Sequence, residues 1–259
     1  MSGLEQALAL LLAAHPQTIG VAFHDLQTGQ RVELHAREQM HAASTMKLAV
    51  LLAAYRMAAP LEKPVRVENR FASIAPGGGT FSVDPKDDDD PWPYTQLGKE
   101  VPLGVLLEHM IVRSSNLATN LVMQTLRAAE VERVCRELGA SDIRILRGVE
   151  DLKAHEQGLD NTTTAHDLAL LLEAAPPPAL AILERQQFNE GIPAGLPSGT
   201  RVAHKTGDIT RHYHDAALVF RQGRKPYVLV VMTRGFESKE EAAATVRDIS
   251  RLVWNRATE

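Results

Sequence analysis

The sequence has few of the residues and runs that mark several classes of protein. Cys135 is the only cysteine, so it has no partner for an intramolecular disulfide and too few thiols for a cysteine-based zinc site; we expect it in the core. No run of lysine and arginine is long enough to favour nucleic acid, and the formal net charge is only −4. No apolar run approaches the roughly 20 residues that a membrane-spanning helix needs. Neither nucleic acid nor a membrane is therefore an expected partner, and the oligomeric state is left open.

Positive charge is also missing from the N-terminus. Residues 7–14 are apolar, but Glu5 precedes them where a signal peptide would carry lysine or arginine. We therefore expect a first helix over Gly3–Ala14 and a cytoplasmic protein. A longer natural precursor would instead make the protein secreted or periplasmic.

The order of the predicted elements indicates an α+β fold. With 259 residues, 44% of them hydrophobic, the chain can bury one large core or two modest ones. A helix with a capping box, Ser238–Trp254, ends the chain. Strands are predicted early and late, at Thr18–Asp25, Gln30–His35, Thr200–His204, Ala216–Arg221 and Tyr227–Thr233. We expect one five-stranded antiparallel sheet flanked by the terminal helices, built from residues 1–43 and 188–259, with a helical subdomain, 44–187, inserted into it.

The stretch Ser44–Ala59 is apolar on almost every side, which predicts a helix buried all round. Ser44 and Lys47 are three residues apart, so a helix places both on one face, one turn from its start. A lysine buried there can accept the serine proton, and the unpaired N–H groups of a helix start stabilise negative charge on oxygen. The simpler alternative is that Ser44 caps the helix and Lys47 extends to water.

Two further polar motifs lie where predicted elements begin or end. Ser-Ser-Asn at 114–116 lies between two predicted helices, Pro102–Arg113 and Leu117–Ala129, and His-Lys-Thr-Gly at 204–207 ends a late strand. Together with Ser44-x-x-Lys47, they give Ser-x-x-Lys, Ser-x-Asn and Lys-Thr-Gly in that order. In these motifs the chain resembles the class A β-lactamases and the wider penicillin-recognising serine hydrolases, over essentially its whole length.

The resemblance implies a serine hydrolase with a covalent acyl-serine intermediate, a small acyl substrate such as a β-lactam, and no metal or cofactor. Ser44 would attack the carbonyl carbon and Lys47 would take its proton. Ser114 and Lys205 would pass a proton to the leaving nitrogen. The backbone N–H groups of Ser44 and Asp208 would form the oxyanion hole. Substrate-binding residues are expected to be Asn116, Thr206, Gly207, Asp208 and Arg211.

The chain departs from the class A pattern in the loop that carries the deacylating glutamate. Class A enzymes usually have Arg-Trp-Glu-Pro-x-x-Asn there, whereas residues 147–154 read Arg-Gly-Val-Glu-Asp-Leu-Lys-Ala. Glu150 is the candidate for positioning the deacylating water, and Asp151 is its rival; a charged pair on an exposed loop is commonly just solvated. Arg147 and Asp160 are the candidate ion pair that fastens the ends of the loop.

Two other positions change the expected charge of the site. Asp208 stands where the family usually has serine or alanine, and it would repel a β-lactam carboxylate by on the order of 1 kcal/mol. Arg211 or Arg234 is the candidate to offset that repulsion. Ser115 stands where the motif usually has aspartate, which removes a buried charge from the scaffold. These departures keep two alternatives open: an esterase or peptidase acting on another small acyl substrate, and a penicillin-binding domain with slow deacylation.

The remaining polar and aromatic residues have simpler interpretations. The run Asp87–Asp90 is expected to be a solvated loop, with calcium or magnesium binding as the less favoured alternative. Trp92 and Tyr94 either form a wall of a cleft or pin this loop down. His212 and His214 alternate along a strand without an evident third ligand, so we expect them on the strand surface near the rim of the cleft rather than on a metal.

Overall fold

The computed structural model describes residues 2–257 of the chain. The α-helices of this part are α1 (Gly3–Ala13), α2 (Met46–Arg56), α3 (Leu103–Val112), α4 (Asn116–Leu126), α5 (Ala128–Glu137), α6 (Leu152–Glu156), α7 (Ala165–Glu173), α8 (Pro177–Leu183) and α9 (Lys239–Ala257). Its strands are β1 (Thr18–Asp25), β2 (Arg31–Leu34), β3 (Met40–His41), β4 (Pro64–Arg66), β5 (Phe71–Ala72), β6 (Thr80–Phe81), β7 (Glu100–Pro102), β8 (Thr162–Thr163), β9 (Val202–Ile209), β10 (His212–Arg221) and β11 (Arg224–Arg234). Among the described helices, none combines the length and apolar character needed to cross a membrane.

Five strands form one antiparallel sheet in the order β2-β1-β11-β10-β9, which confirms the predicted fold class. Both faces of the sheet are covered, so β1, β10 and β11 are buried along nearly their whole length. On one face α1 and α9 pack against the sheet, through residues such as Leu8 and Ile249. On the other face lies the core shared with the helical middle of the chain, which includes Cys135, buried as predicted.

The edge strand β9 is longer than the sequence indicates. The predicted strand stops at His204, whereas β9 continues to Ile209 and pairs with β10 over its whole length. Arg211, with φ +63°, lies in the tight turn between the two strands. The prediction that Lys-Thr-Gly ends a strand is therefore wrong, because pairing with β10 extends the strand through this motif. The motif lies along the edge strand of the sheet, where Lys205 and Thr206 are buried.

The central helix α2 is buried on every side from Met46 to Ala54, as its composition predicts. It begins later than predicted, because residues 43–45 form a single 3₁₀ turn in front of it. Ala43 has φ +46°, and the Thr45 hydroxyl donates to the Ala42 carbonyl at 2.5 Å, which closes this turn. Ser44 therefore lies in the turn that precedes the helix, and not in the helix itself.

Other boundaries also differ from the prediction. The helix expected over Leu117–Ala129 ends at Leu126, because Arg127 has φ +69° and the next helix, α5, starts after it. The loop expected over 147–164 contains the short helix α6. These breaks depend on single backbone conformations, which hydrophobic periodicity does not reveal.

Candidate active site

Ser44 lies where the 3₁₀ turn meets the edge strand β9. It is half-buried and borders two cavities, of about 580 and 260 Å³. A Cβ atom added to Gly207 would come within 2.8 Å of the Ser44 nitrogen and 2.7 Å of the Thr45 nitrogen. Only glycine at 207 allows the strand to approach the turn this closely. Backbone N–H groups and the serine hydroxyl are thus concentrated at one point of the cleft.

Lys47 is fully buried behind this turn. Its ammonium donates to the Ser114 carbonyl at 2.6 Å, to the Ser114 hydroxyl at 3.2 Å and to Oδ1 of Asn116 at 2.7 Å. Burial lowers the pKa of Lys47 to about 8, although neighbouring carboxylates, led by that of Asp88, oppose the shift. A lysine with this pKa is partly neutral near neutral pH and can then accept a proton.

Ser114 brings the second buried lysine into the same network. Nζ of Lys205 donates to the Ser114 hydroxyl at 3.0 Å and to the Thr206 carbonyl at 2.8 Å. Burial and the nearby charge of Lys47 hold the pKa of Lys205 well below its usual range. Ser114 itself has φ +57°, a conformation that is uncommon outside glycine. Its hydroxyl therefore lies within hydrogen-bond distance of both lysines, where it can relay a proton.

Asn116 connects Lys47 to the loop over 147–164. Its Oδ1 accepts from Lys47, and its Nδ2 donates to Oε1 of Glu150 at 2.7 Å. Glu150 borders the larger cavity together with Ser44, and burial raises the pKa of its carboxyl group. Its rival Asp151 is held elsewhere: its carboxylate accepts from the Ser73 hydroxyl and the Ile74 N–H, at 2.7 and 2.9 Å. Glu150 therefore lines the cleft, whereas Asp151 fastens the loop to residues 73 and 74.

The predicted ion pair between Arg147 and Asp160 is present, at 2.9 Å. His155 also contacts Asp160, at 2.8 Å, so this carboxylate fastens both ends of the loop that carries Glu150. His41, His155 and Asp160 lie close enough to suggest a metal site. However, the Arg147 guanidinium donates to Asp160 and lies 3.4 Å from Nε2 of His41. The positive charge within this cluster is therefore that of Arg147.

The aspartate run is not the solvated loop that the sequence predicts, because Asp88 and Asp90 are buried. Asp90 Oδ2 pairs with Nδ1 of His109 at 2.6 Å, and Asp88 accepts hydrogen bonds from the start of α4. Trp92 stacks on His109 at a ring separation of 4.0 Å, and the Tyr94 hydroxyl donates to Asp88. The two aromatic residues therefore pin the loop down. One sequence signal for the burial of Asp88 was missed: the first turn of α4 has no acidic residue of its own, so its N-terminus lacks a local carboxylate.

Asp208 lies beside Ser44 on the edge of both cavities, with 43% of its side chain exposed. Its counter-charge is Lys239 of α9, at 3.1 Å, which no sequence pattern indicated. The two arginines suggested for this purpose pair with other acids. Arg211 contacts Glu237 and Arg234 contacts Glu38, each at 2.8 Å.

The other predicted residues have mixed outcomes. Thr206 is buried, borders the smaller cavity and accepts from Gln186 at 2.8 Å. His212 borders the larger cavity, at the rim of the cleft. His214 is fully buried, so its prediction as a surface residue is wrong: its ring bridges the His41 carbonyl, at 2.9 Å, and the backbone N–H of residue 233. Burial lowers the pKa of His214 to about 4.

The fold and the arrangement of serine, buried lysines and backbone amides around one cleft define the class of this protein, an active-site serine hydrolase. The chain belongs to the β-lactamase enzyme family, whose model matches residues 3–257. A β-lactamase of Streptomyces fradiae is 28% identical over 99% of this chain and 87% of its own length. The β-lactamase ROB-1 of Haemophilus influenzae is 30% identical over 97% of this chain and 83% of its own.

Solved structures have the same fold over the whole chain. PBP-A superposes with a TM-score of 0.83 at 27% identity, over 100% of this chain and 97% of that one. An acyl-enzyme complex of a PBP-A mutant with penicillin G superposes with a TM-score of 0.80 at 26% identity, over 98% and 96%. A class A β-lactamase of Mycobacterium abscessus, 21% identical, has a TM-score of 0.81 over 99% and 100% of the two chains, which shows the shared fold.

Proposed function

We propose that this chain hydrolyses β-lactams through a covalent acyl-serine intermediate, with Ser44 as the nucleophile. The family and the names of its relatives support this substrate class. The observation that carries hydrolysis, as opposed to acylation alone, is the hydrogen bond of Glu150 to Asn116 beside the Ser44 cavity. In this proposal the cleft lies between the sheet subdomain, 1–43 and 188–259, and the helical subdomain, 44–187.

Acylation begins when neutral Lys47 takes the proton of the Ser44 hydroxyl, directly or through a water molecule. The Ser44 oxygen then attacks the lactam carbonyl carbon. The negative oxygen of the tetrahedral intermediate is stabilised by the backbone N–H groups of Ser44 and Asp208. Gly207 makes this possible, because its missing side chain lets the strand lie against the turn.

The C–N bond of the lactam breaks when its nitrogen receives a proton. Ser114 is the donor in this proposal, since its hydroxyl contacts both buried lysines and is resupplied through them. Asn116 and Thr206 border the cleft and bind the substrate's carbonyl and carboxylate groups. Arg211 is not included among the binding residues, because it pairs with Glu237 and lines neither of the two cavities that Ser44 borders.

Deacylation requires a water molecule that attacks the ester. Glu150 accepts a proton from this water while its carboxylate is held by Asn116. The ester C–O bond then breaks, and the Ser44 oxygen recovers that proton. A penicillin-binding domain with slow deacylation is the second candidate, favoured by the likeness to PBP-A. The two functions share the acylation step and differ only in whether Glu150 works as a base.

An intact-mass time course with benzylpenicillin separates these functions. Hydrolysis predicts an adduct that decays while ring-opened product accumulates, and a penicillin-binding domain predicts an adduct that persists. Ser44→Ala is the matched control, and it should form no adduct while keeping the thermal unfolding midpoint of the unaltered protein. Absence of any adduct on the unaltered protein would reject the β-lactam proposal and direct the search to other small esters and amides.

A further inference from the structure

The helix that carries Asn116 obtains its N-terminal carboxylate from another part of the chain. Oδ2 of Asp88 accepts from the backbone N–H groups of Asn116 and Leu117, at 3.0 and 2.9 Å. The same oxygen accepts from the Ser115 hydroxyl, at 3.2 Å, and from the Tyr94 hydroxyl, at 2.9 Å. Asp88 is buried and 28 residues upstream of Asn116. Its charge lies at the positive end of α4, where a carboxylate is stabilised.

The position of Asp88 matters because the side chain of Asn116 contacts both Lys47 and Glu150. The backbone of Asn116 is fixed by Asp88, while its side chain joins Lys47 to Glu150, with both contacts at 2.7 Å. The carbonyl of Asp87, the neighbour of Asp88, also accepts from Asn116, at 3.2 Å. Through Asn116, the loop around residue 88 is therefore connected to Lys47, the proton acceptor of acylation, and to Glu150, the proton acceptor of deacylation.

Asp88 shares the capping of α4 with Ser115, since it accepts from the N–H groups of Asn116 and Leu117. Ser115 already caps α4 by accepting from the Ala118 N–H at 3.1 Å, which is the usual role of a serine at this position. What Asp88 adds is a buried negative charge that favours the protonated form of Lys47, to which it is connected through Asn116. Asp90 provides a comparison within the same loop, since it is also buried but pairs with His109.

We propose that Asp88 is a positioning residue of the active site, which orients Asn116 and supplies the negative charge that Lys47 needs when it is protonated. This inference rests on the proposed function for its kinetic part only. Asp88 acts through Asn116 and Lys47 and does not itself touch the reacting atoms.

Three variants test the proposal. Asp88→Asn keeps an oxygen toward α4 and loses only the charge and the 3.1 Å contact with the Asp90 N–H, so the fold should persist. Asp90→Asn removes a second buried carboxylate of the same loop, which pairs with His109 and not with Asn116. In the third variant, Asp88→Asn is combined with Ser115→Asp, which returns a carboxylate to the same helix end from the capping position.

The first measurement is the titration of Lys47, followed by NMR of ¹³Cε-labelled lysine and assigned with Lys47→Arg. It needs no substrate. Other charged groups act on the two buried lysines, Lys47 and Lys205, which also act on each other, and the variants alter none of them. These groups are Asp89, Glu150, Asp208 and Asp215. Asp88→Asn should lower the midpoint of Lys47 by about one pH unit, because an anion near an ammonium raises its pKa. Asp90→Asn should leave the midpoint unchanged, and the double variant should restore it.

The second measurement is the acylation rate with a chromogenic cephalosporin. We expect Asp88→Asn to lower it by about tenfold or more and the double variant to recover most of the loss, as expected for groups that act as a unit. Ser115→Asp alone should be slower than the unaltered protein, because two carboxylates then share one site.

Each of three results would overturn the proposal. Two of them are equal Lys47 midpoints in Asp88→Asn and Asp90→Asn, and a folded Asp88→Asn variant with an unchanged acylation rate. A folded double variant no better than Asp88→Asn would also overturn it. If the unaltered protein forms no acyl-enzyme and the Lys47 midpoint still shifts, the proposed function fails while the placement of Asp88's charge against Lys47 stands.

Discussion

Replacing Glu150 with glutamine should trap the acyl-enzyme. Glutamine can still accept the hydrogen bond that Nδ2 of Asn116 donates to Oε1 at 2.7 Å, so the loop keeps its place and only the proton acceptor is lost. A general base contributes about 10²–10⁴ in rate, so deacylation should slow by that factor, an increase of about 3–5 kcal/mol in its barrier. Acylation should change by less than about tenfold, since Lys47 is the base for that step.

Rapid-quench intact-mass measurements at several times after mixing give both rates. In the unaltered protein, deacylation should fall as the pH drops through the raised pKa of Glu150, because only the carboxylate form accepts a proton. Glu150→Gln should lose this acidic limb.

Asp151→Asn is the matched control, because it alters the neighbouring carboxylate, which is fully buried against Ser73 and Ile74. It should lower the thermal unfolding midpoint and leave the acyl-enzyme short-lived. Unchanged turnover in Glu150→Gln, or accumulation of acyl-enzyme only in Asp151→Asn, would refute the assignment of Glu150.

Three further predictions concern charge. The rate constant for acylation, measured as kcat/KM, should rise with pH and level off above about 8, because the neutral form of Lys47 is the base and burial lowers its pKa to that value; a flat profile between pH 6 and 9 would contradict this role. Asp208→Ser should raise the preference for a β-lactam over its uncharged methyl ester, measured as the ratio of their kcat/KM values, by about fivefold, because it removes roughly 1 kcal/mol of screened repulsion. Lys239→Ala should lower this ratio, because Asp208 then loses its counter-charge. Equal ratios in the unaltered protein and both variants would exclude an effect of Asp208. Asp160→Asn should lower the free energy of unfolding by roughly 2 kcal/mol in urea titrations, because it leaves the buried guanidinium of Arg147 without its carboxylate, and it should slow deacylation more than acylation; a stability unchanged within error would contradict it.

Local sequence was enough to predict the elements whose signals lie within a few residues. The uninterrupted apolar run of α2 predicted a helix buried on all sides, because such a run reflects burial directly. The strands predicted at Thr18–Asp25 and Gln30–His35 are present as the antiparallel pair of β1 and β2. Ser44 and Lys47 belong to one local motif, so their closeness was predictable as well. The Arg147–Asp160 pair was also predicted, since a loop that closes on itself brings its ends together.

Predictions failed where one backbone angle decided the outcome. The 3₁₀ turn around Ser44 depends on the positive φ of Ala43, and the break after α4 depends on that of Arg127. Neither residue is a glycine, so composition contains no sign of these turns. Tertiary packing imposes both conformations.

The sequence by itself determined the family, the five-stranded sheet and the residues able to carry the chemistry, because motifs and burial patterns are local properties of the chain. Apart from the Arg147–Asp160 pair, only the tertiary structure decided which charged residues lie close together. It buried Asp88 at the start of α4, paired Asp208 with Lys239, and turned Glu150 rather than Asp151 toward the cleft. The physical reason is that an electrostatic interaction depends on distance in space and on burial, and residues far apart in the chain reveal neither until they are folded.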